Sequence, residues 1–382
     1  MKAFRILTAV LLLLACFISS CSDSARNREK EESPNGNSYA ERFRIEKKDE
    51  YTILTILNPW QGAVDVEYTY YLIRRGTNIP DGIDPDRVIY VPVEKIICMS
   101  TTYIPMLAQL DEADAICGIS GSYLVYDTGM IKRLEKGELH DVGYEDNINK
   151  ELILQLSPDL VMTYGIGSES TGYISKLREL GVKVIFNADY LEDDPLGKAE
   201  WIKLFGVLFC KEDEAAEIFE EISNNYLALK ELISSNILWR PKVMLGLPWK
   251  DTWFISPGNS YISRLINDAG GDYLWADTES DVSMPYGIEN VYVKAVQAQY
   301  WLNIGTASSR KEISVVDTRL EELPPFITGN LYNNNKRISE TGGNDYWESG
   351  NLHPEIILRD IASILHPDLF PDDSLYYYRK VD

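Results

Sequence analysis

Aromatic side chains concentrate in the segments that follow short apolar runs, in both halves of the chain. The first half contributes Tyr103, Tyr123, Tyr126, Tyr144 and Tyr164. The second half contributes Trp249, Trp253, Tyr286, Tyr332 and Trp347, with Asn333 and Asp345 among them. Any single aromatic residue is more often a packing residue, so the prediction depends on the clustering. Large aromatic faces beside a few amides suit a bulky, flat or hydrophobic ligand, held by contact area and selected hydrogen bonds.

The sequence motifs of common enzymes are missing. There is no Gly-x-Ser-x-Gly, no His-Glu-x-x-His and no Walker phosphate-binding loop. Gly165 and Gly167 follow a strand-like run, which we interpret as a loop whose backbone approaches a ligand, with a plain turn as the equal alternative. Three histidines are too few for a His-rich metal cage. We therefore predict a binding protein that is not an enzyme and has no metal site of its own.

The charge balance restricts the class of partner. The chain has 59 acidic and 37 basic residues, a formal net charge of −22. A protein that binds duplex nucleic acid needs a basic face to displace counterions from phosphates, so we exclude nucleic acid as a partner. The length of 382 residues suits two or three compact units. Cys98, Cys117 and Cys210 form no Cys-x-x-Cys pair, so we expect buried thiols and no disulfide framework.

The first twenty residues have the features of a signal peptide. Lys2 and Arg5 precede an apolar run that is too short to span a bilayer stably. Ser19 and Ser20 stand directly before Cys21, as in the lipobox of bacterial lipoproteins, so we predict cleavage after residue 20 and a lipid on Cys21. An ordinary signal peptide with an incidental cysteine is the alternative. Residues 21–50 are polar and charged, which predicts a disordered tether, with order beginning near Tyr51.

Strand-like and helical runs alternate in two stretches of the chain, which predicts parallel sheets covered by helices. Between these stretches, apolar residues recur at spacings of three or four from Ile218 to Ile233, which predicts a helix of roughly 30 Å. The predicted units are an N-terminal α/β lobe over residues 51–194, connecting helices over 195–239 and a C-terminal α/β lobe over 240–382. Ligands of open α/β sheets bind at the carboxyl ends of the strands, where the aromatic residues are expected.

Several weak motifs, taken in order, resemble one family: the substrate-binding lipoproteins of ABC importers for ferric siderophores, haem and cobalamin, of Bacteroidetes type. The motifs are Ile116–Ser120, Glu151–Val161, Phe254–Ser260, Asn344–Glu348 and Pro354–Leu358. The resemblance covers roughly residues 88–370. It implies an α/β fold of two Rossmann-like lobes with parallel sheets, joined by a long rigid α-helix. The hairpin over residues 51–73 and the loop from Tyr332 to Arg337 look like additions.

The resemblance also implies a function. A monomeric protein, attached to the membrane by its lipid alone on the periplasmic side of the cell envelope, would capture a small chelate between its lobes. It would then deliver the chelate to an ABC permease dimer in the inner membrane with its ATPase. A ferric siderophore is the first choice of ligand, and cobalamin or haem is the alternative. An enzyme or metal-cluster protein on the same scaffold is the alternative of another class.

Individual residues follow from this resemblance. In cobalamin binders, aromatic residues stand at the positions of Tyr123, Tyr126, Tyr144 and Tyr286, and an acid stands at the position of Asp345. Lys336 and Arg337 lie near the expected cleft, where they would face an anionic ligand or remain solvated. Glu151 and Glu289 begin matching helices in the two lobes. The resemblance implies that they meet basic residues of the permease, and stabilisation of the helix dipole is a role that can hold at the same time.

Overall fold

The computed structural model describes residues 37–144, 147–165, 170–371 and 374–382. The strands are β1 (Phe43–Lys47), β2 (Thr52–Leu57), β3 (Glu67–Arg74), β4 (Val88–Val91), β5 (Ile96–Cys98), β6 (Ile116–Ile119), β7 (His140–Asp141), β8 (Leu160–Thr163), β9 (Val184–Phe186), β10 (Lys242–Leu245), β11 (Thr252–Ile255), β12 (Asp272–Tyr273), β13 (Met284–Gly287), β14 (Tyr300–Leu302), β15 (Leu331–Asn333) and β16 (Arg379–Lys380).

The helices lie between these strands. They are α1 (Tyr103–Gln109), α2 (Thr128–Glu135), α3 (Lys150–Leu156), α4 (Ser170–Glu179), α5 (Pro195–Glu200), α6 (Ile202–Phe209), α7 (Glu212–Asn236), α8 (Tyr261–Asp268), α9 (Ile288–Ala295), α10 (Arg310–Val316), α11 (Pro324–Thr328), α12 (Asp345–Glu348) and α13 (Pro354–Leu365). No helix among the described residues combines the length and the apolar character needed to cross a bilayer.

The first lobe contains a five-stranded parallel sheet in the order β7-β6-β5-β8-β9. The central strand β5 and its neighbour β8 are buried along their whole length, as Ile96, Ile97 and Cys98 in β5 show. Strands of a parallel sheet are buried in this way because helices cover both faces. The chain runs from β5 outward to β7 and then returns to place β8 on the other side of β5. Loops that diverge at such a switch point leave a crevice for a ligand.

The second lobe repeats this arrangement with a different edge. Its sheet has the order β12-β10-β14-β15-β16, in which β16 alone pairs antiparallel. A separate antiparallel pair, β11 and β13, aligns Trp253 with Tyr286. The two α/β lobes predicted from the alternating pattern are therefore present, and the predicted fold class is confirmed.

The connecting segment consists of α5, α6 and the long helix α7. At 25 residues and 1.5 Å per residue, α7 is about 37 Å long. One face of the helix is buried, and this face includes Ile222, Tyr226, Leu229 and Ile233. The opposite face is acidic and solvated, which is the pattern of a helix that lies on a core. The long helix predicted from this spacing is present.

A four-stranded sheet, β1-β2-β3-β4, precedes the first lobe. Its central hairpin, β2 and β3, was predicted, but β1 was not. The expectation that order begins near Tyr51 is wrong, because Asn37, Ala40 and Phe43 are already buried. The Phe43 ring packs on Trp201, with 4.8 Å between the ring centroids.

Two buried carboxylates hold the segment that leads into β1. Glu200 accepts backbone N–H groups from residues 38, 39 and 40 at 2.7–2.9 Å. Glu192 accepts those of Glu41 and Arg42 at 3.0–3.1 Å. The partners are about 150 residues apart in sequence. The composition of residues 37–42 therefore carries no sign that this segment is ordered.

Cys98, Cys117 and Cys210 are free thiols. Cys98 is buried, and burial raises the pKa of its thiol above the usual range. Cys117 and Cys210 are only half-buried, so the prediction of buried thiols holds for one of the three.

Candidate ligand cavity between the lobes

A cavity of about 720 Å³ opens where the carboxyl ends of both sheets meet. The first lobe contributes Thr101, which follows β5, and Leu124, which follows β6. The second lobe contributes Asn303, Gly305, Thr306, Ser308, Asn334, Asn335, Ile338, Gly342, Asn344 and Trp347. None of these described lining residues is charged. The wall consists of amides, hydroxyl groups, a few aliphatic side chains and one large aromatic ring.

Asn303 is held in an unusual backbone conformation directly after β14. Its φ is 52°, in the left-handed region that asparagine tolerates better than most residues. Its Oδ1 accepts a hydrogen bond from the Tyr378 hydroxyl at 2.6 Å. Tyr378 is fully buried and comes from the C-terminal segment. Asn303 therefore has a fixed position at the cavity wall, and sequence reasoning did not identify it.

Three consecutive asparagines, which begin at the last residue of β15, have different roles. Asn333 is fully buried, and its Nδ2 donates to the carbonyl oxygens of Gly305 and Ala307 at 3.0 and 2.8 Å. This burial corrects the expectation that Asn333 contacts ligand, because its amide ties two loops together. Asn334 and Asn335 line the cavity instead.

Trp347 is the predicted aromatic residue that reaches this cavity. Its side chain is 60% exposed and lies edge-on to Tyr346, with 4.8 Å between ring centroids. It follows Asp345 in the short helix α12, whose first turn is capped by Asn344 Oδ1 accepting from the Tyr346 N–H at 3.0 Å. The cap residue and the tryptophan both line the cavity.

Two predicted ligand residues lie in the core instead. Tyr103 is fully buried in α1, where its ring packs near Phe205. Trp253 is fully buried in β11, and its Nε1 donates to the Leu245 carbonyl at 3.0 Å. Neither side chain reaches a surface that a ligand can contact, so the expectation for both is corrected. Aromatic residues at strand ends and helix starts serve packing here.

Two of the first-lobe tyrosines, Tyr123 and Tyr144, meet at the loop after β6. The rings of Tyr123 and Tyr144 meet edge-on at 5.9 Å, and Tyr123 is half-exposed. Gly121 permits this contact: its φ is +70°, and a Cβ there would lie 2.9 Å from the Tyr144 ring. The tyrosine pair is therefore adjacent to Leu124, a lining residue, without lining the cavity itself.

Asp345 and Arg337 form an ion pair beside the cavity. Arg337 Nε lies 2.5 Å from Asp345 Oδ2, and its guanidinium lies over the rings of Tyr126 and Tyr376 at 5.1 and 4.2 Å. Lys336 Nζ donates to the carbonyl oxygen of Leu375. These contacts correct the expectation that Asp345 contacts ligand, and Lys336 is exposed, which agrees with the solvated alternative. Asp345 is committed to Arg337, and neither cation is among the residues that line the cavity.

The remaining predicted aromatics lie outside the described wall of the cavity. Tyr164 pairs with Tyr190 at 6.4 Å between centroids. Trp249 is 65% exposed, and the Lys250 ammonium lies 4.2 Å from its ring centroid. Tyr286 in β13 and Tyr332 in β15 are half-buried. The structure thus brings together only part of the predicted cluster.

Glu348 joins the two lobes and was not predicted. Its Oε2 accepts the Tyr126 N–H at 2.7 Å and its Oε1 accepts the Asp127 N–H at 2.8 Å. The side chain is almost fully buried, and burial raises the pKa of this carboxyl to about 8, although the two N–H groups lower it. Its partners are backbone groups 221 and 222 residues away, so no sequence signal marks the contact.

Glu151 and Glu289 occupy corresponding places in the two lobes. Each lies in the first turn of a helix, α3 or α9, and each is exposed. Glu289 Oε1 lies 3.0 Å from an Arg319 nitrogen, and Arg319 is held in turn by Asp317 at 2.6 Å. Within the described residues Glu151 makes no ion pair, so the two acids differ in how accessible their charges are. The same residues contain no group of three or more His, Cys, Asp or Glu side chains that could hold a metal ion.

Comparison with known proteins agrees with this architecture. The model of the periplasmic binding protein family matches residues 96–317. An uncharacterized lipoprotein of Methanocaldococcus jannaschii is 29% identical over 306 residues, covering 78% of this chain and 71% of that protein.

Two solved structures share the fold. A possible iron-binding (periplasmic solute-binding) protein from Staphylococcus epidermidis has a TM-score of 0.56 at 16% identity, covering 72% of this chain and 99% of that one. A periplasmic haem-binding protein from Pseudomonas aeruginosa has a TM-score of 0.56 at 15% identity, covering 76% and 98%. Because the matched family binds solutes, the prediction of a binding protein over an enzyme is confirmed. The chain belongs to the periplasmic binding protein family of ABC transporters.

Proposed function

We propose that this protein is the substrate-binding lipoprotein of an ABC importer and that it carries an uncharged metal chelate. The observation that supports this most directly is the cavity between the carboxyl ends of the two sheets, large enough for a drug-sized molecule. A lipid on Cys21 would hold the protein at the periplasmic side of the cell envelope. The chelate would then pass to a permease with its ATPase in the inner membrane.

The wall of the cavity favours a ligand without net charge. None of the described lining side chains is ionised, and the two cations nearby are engaged by Asp345 and by a backbone carbonyl. Burying an unpaired charge costs far more than burying a hydrogen-bonded polar group. An anionic ferric catecholate and the propionates of haem would face this penalty. A ferric trihydroxamate is uncharged, so a siderophore of this class is the first candidate.

Cobalamin is the second candidate, for a specific reason. Four asparagines line the cavity: Asn303, Asn334, Asn335 and Asn344. The amides of Asn335 and Asn344 are hydrogen-bonded within the protein, which leaves Asn303 and Asn334 as the amides nearest to a ligand role. Amides donate and accept hydrogen bonds and therefore complement carboxamide groups at the edge of a corrin ring. Trp347 supplies an aromatic face for either ligand.

Fluorescence titration tests the proposal. The purified protein is titrated with a ferric trihydroxamate, a ferric catecholate, haemin and cyanocobalamin, and quenching of tryptophan emission is followed. We expect micromolar or tighter binding of the trihydroxamate and no binding of the catecholate. Binding of cyanocobalamin alone would promote the second candidate, and binding of none of the four would refute the assignment of the cavity.

A matched pair of variants locates the site. Trp347 and Trp249 are similarly exposed, but only Trp347 lines the cavity. We expect Trp347→Ala to weaken binding at least tenfold and Trp249→Ala to leave the dissociation constant unchanged. Equal losses from both variants would place the ligand elsewhere in the cleft.

A further inference from the structure

A short helix of the second lobe reaches across to the first lobe. Glu348, the last residue of α12, directs both carboxyl oxygens to consecutive backbone N–H groups of Tyr126 and Asp127, at 2.7 and 2.8 Å. Two parallel N–H groups need two acceptors side by side, which a carboxyl group supplies. No cation pairs with Glu348 among the described residues, so these backbone groups are its hydrogen-bond partners there.

The same two loops touch at a second point. Ser339 Oγ donates to the carbonyl oxygen of Val125 at 3.0 Å. Gly343 lies against the same carbonyl, because a Cβ at this position would be 2.3 Å from the Val125 oxygen. Any other residue at 343 would force the loops apart. The contact therefore extends over residues 124–127 of one lobe and 339–348 of the other.

The residues of this contact alternate along the chain with residues that line the cavity. Leu124 lies directly before Val125, and Trp347 directly before Glu348. Gly342 and Asn344 flank Gly343 and also line the cavity. The cavity cannot widen on this side while Glu348 holds the backbone of Tyr126 and Asp127.

We propose that Glu348 is the positioning residue that closes the ligand cavity across the two lobes and thereby sets how long a ligand stays bound. The inference rests on the proposed function, because it takes the cavity as the ligand site. Glu348 acts through the loop after β6 and does not contact ligand itself. Replacing its carboxyl group with an amide leaves one acceptor for two partly buried N–H groups, and replacing it with alanine leaves none, so the loops separate more often.

Glu192 provides a matched control. It is also a buried glutamate that accepts two consecutive backbone N–H groups, those of Glu41 and Arg42, and burial raises its pKa to about 7. It holds the N-terminal segment, however, and does not join the lobes at the cavity. Glu192→Gln thus reproduces the loss of a buried carboxylate without the effect on cavity closure.

Amide hydrogen exchange of the ligand-free protein tests the closure. We expect Glu348→Gln to increase exchange at Tyr126 and Asp127 at least tenfold, with a larger increase for Glu348→Ala and none at these amides for Glu192→Gln. Unchanged exchange at Tyr126 and Asp127 in both Glu348 variants would overturn the proposal. This measurement uses no ligand, so its result is independent of whether the proposed function is correct.

Stopped-flow chase of a bound ferric trihydroxamate, or of cyanocobalamin if that is the compound bound, tests the effect on residence. We expect Glu348→Gln to raise the dissociation rate at least fivefold while Glu192→Gln leaves it unchanged. Faster exchange at Tyr126 with an unaltered dissociation rate would overturn the role of Glu348 in retention. If the unmodified protein binds none of the four compounds, the proposed function fails, and so does the retention role that rests on it.

Discussion

Tyr378, four residues from the end of the chain, donates its hydroxyl proton to Asn303 Oδ1 at 2.6 Å, and this contact holds a cavity residue in a left-handed backbone conformation. The two residues are 75 positions apart, and Tyr378 is fully buried. The C-terminal segment thus takes part in shaping the ligand cavity although it lies beyond the last helix.

Tyr378→Phe should weaken ligand binding without unfolding the protein. The substitution removes the hydrogen bond to Asn303 Oδ1, so the Asn303 side chain is able to adopt other orientations. A net hydrogen bond contributes about 1 kcal/mol, which corresponds to a roughly fivefold loss of affinity. The measurement is the fluorescence titration, and the half-exposed neighbour Tyr376→Phe is the control. An unaltered dissociation constant for Tyr378→Phe would show that Asn303 does not need this contact.

The protein should be more stable at pH 5 than at pH 8.5. Burial raises the pKa of Glu192 to about 7 and that of Glu348 to about 8, against 4.5 for an unperturbed glutamate. Between about pH 4.5 and 8 the folded state therefore binds more protons than the unfolded chain. The free energy of unfolding falls as pH rises through this window.

Urea denaturation at several pH values measures this dependence. The free energy of unfolding is expected to fall by a few kcal/mol, as an order of magnitude, between pH 5 and 8.5. A difference of one unit between the pKa values of a group in the folded and unfolded states corresponds to about 1.4 kcal/mol. The double variant Glu192→Gln with Glu348→Gln should show a flatter profile. A free energy of unfolding that rises with pH over this range would contradict the prediction.

Cys21→Ala should release the protein from membranes. One residue supplies both the cleavage site and the point of acylation in the lipoprotein that we propose. Cell fractionation with an antibody against the protein measures the distribution, and Cys210→Ala is a control because this thiol belongs to the folded part. Retention of the Cys21→Ala protein in the membrane fraction would refute the lipid anchor.

Reversing the charge of Glu151 and Glu289, which lie in the first turns of α3 and α9, should abolish transport but leave ligand binding intact. Glu151→Lys with Glu289→Lys changes the charge of exposed side chains that are not among the residues lining the cavity. The acids also interact favourably with the dipoles of their helices, but solvent screens this effect at exposed side chains, so stability should fall only slightly. Uptake of the labelled chelate by cells, together with the titration, separates the two effects. Undiminished uptake would rule out docking through these acids.

The single variants should differ. Glu289 is already paired with Arg319, whereas Glu151 makes no ion pair within the described part of the chain. Glu151→Lys alone is therefore expected to reduce uptake more than Glu289→Lys alone. Equal losses of uptake from the two single variants would indicate that the ion pair between Glu289 and Arg319 breaks readily when the protein docks on the permease.

The sequence was sufficient to predict the two lobes but not to predict most of the residues that line the cavity. Alternating runs and the stripe along α7 predicted two α/β lobes and the long connecting helix, because burial imposes a periodicity on each element. The same local reasoning placed Trp253 and Tyr103 at the ligand, although both are core residues. An aromatic residue in a strand points inward or outward according to the pleat, and one at a helix start according to which face of the helix is buried. A pattern of residue types does not reveal which direction is taken.

Asn333 and Asn334 show that residue type alone does not predict which side chain reaches the cavity. The two residues are adjacent and chemically identical, yet one ties loops together while the other lines the cavity. Glu348 and Asn303 were missed for another reason. Their partners are 221 and 75 residues away, one a backbone N–H and the other a hydroxyl, and such pairs leave no periodic signal.

The hydrogen bonds from residues 38–40 to Glu200 determine where a pulling force on the N-terminal segment would act on the protein. Ser38, the first residue that Glu200 holds, is seventeen positions after Cys21, so a lipid on Cys21 could lie at most about 60 Å from it. Tension on the segment before residue 38 would first be transferred to Glu200, the last residue of α5, and then, through Glu41 and Arg42, to Glu192. A pull on the lipid would therefore act on Glu192 and Glu200, and neither residue is among those that line the cavity.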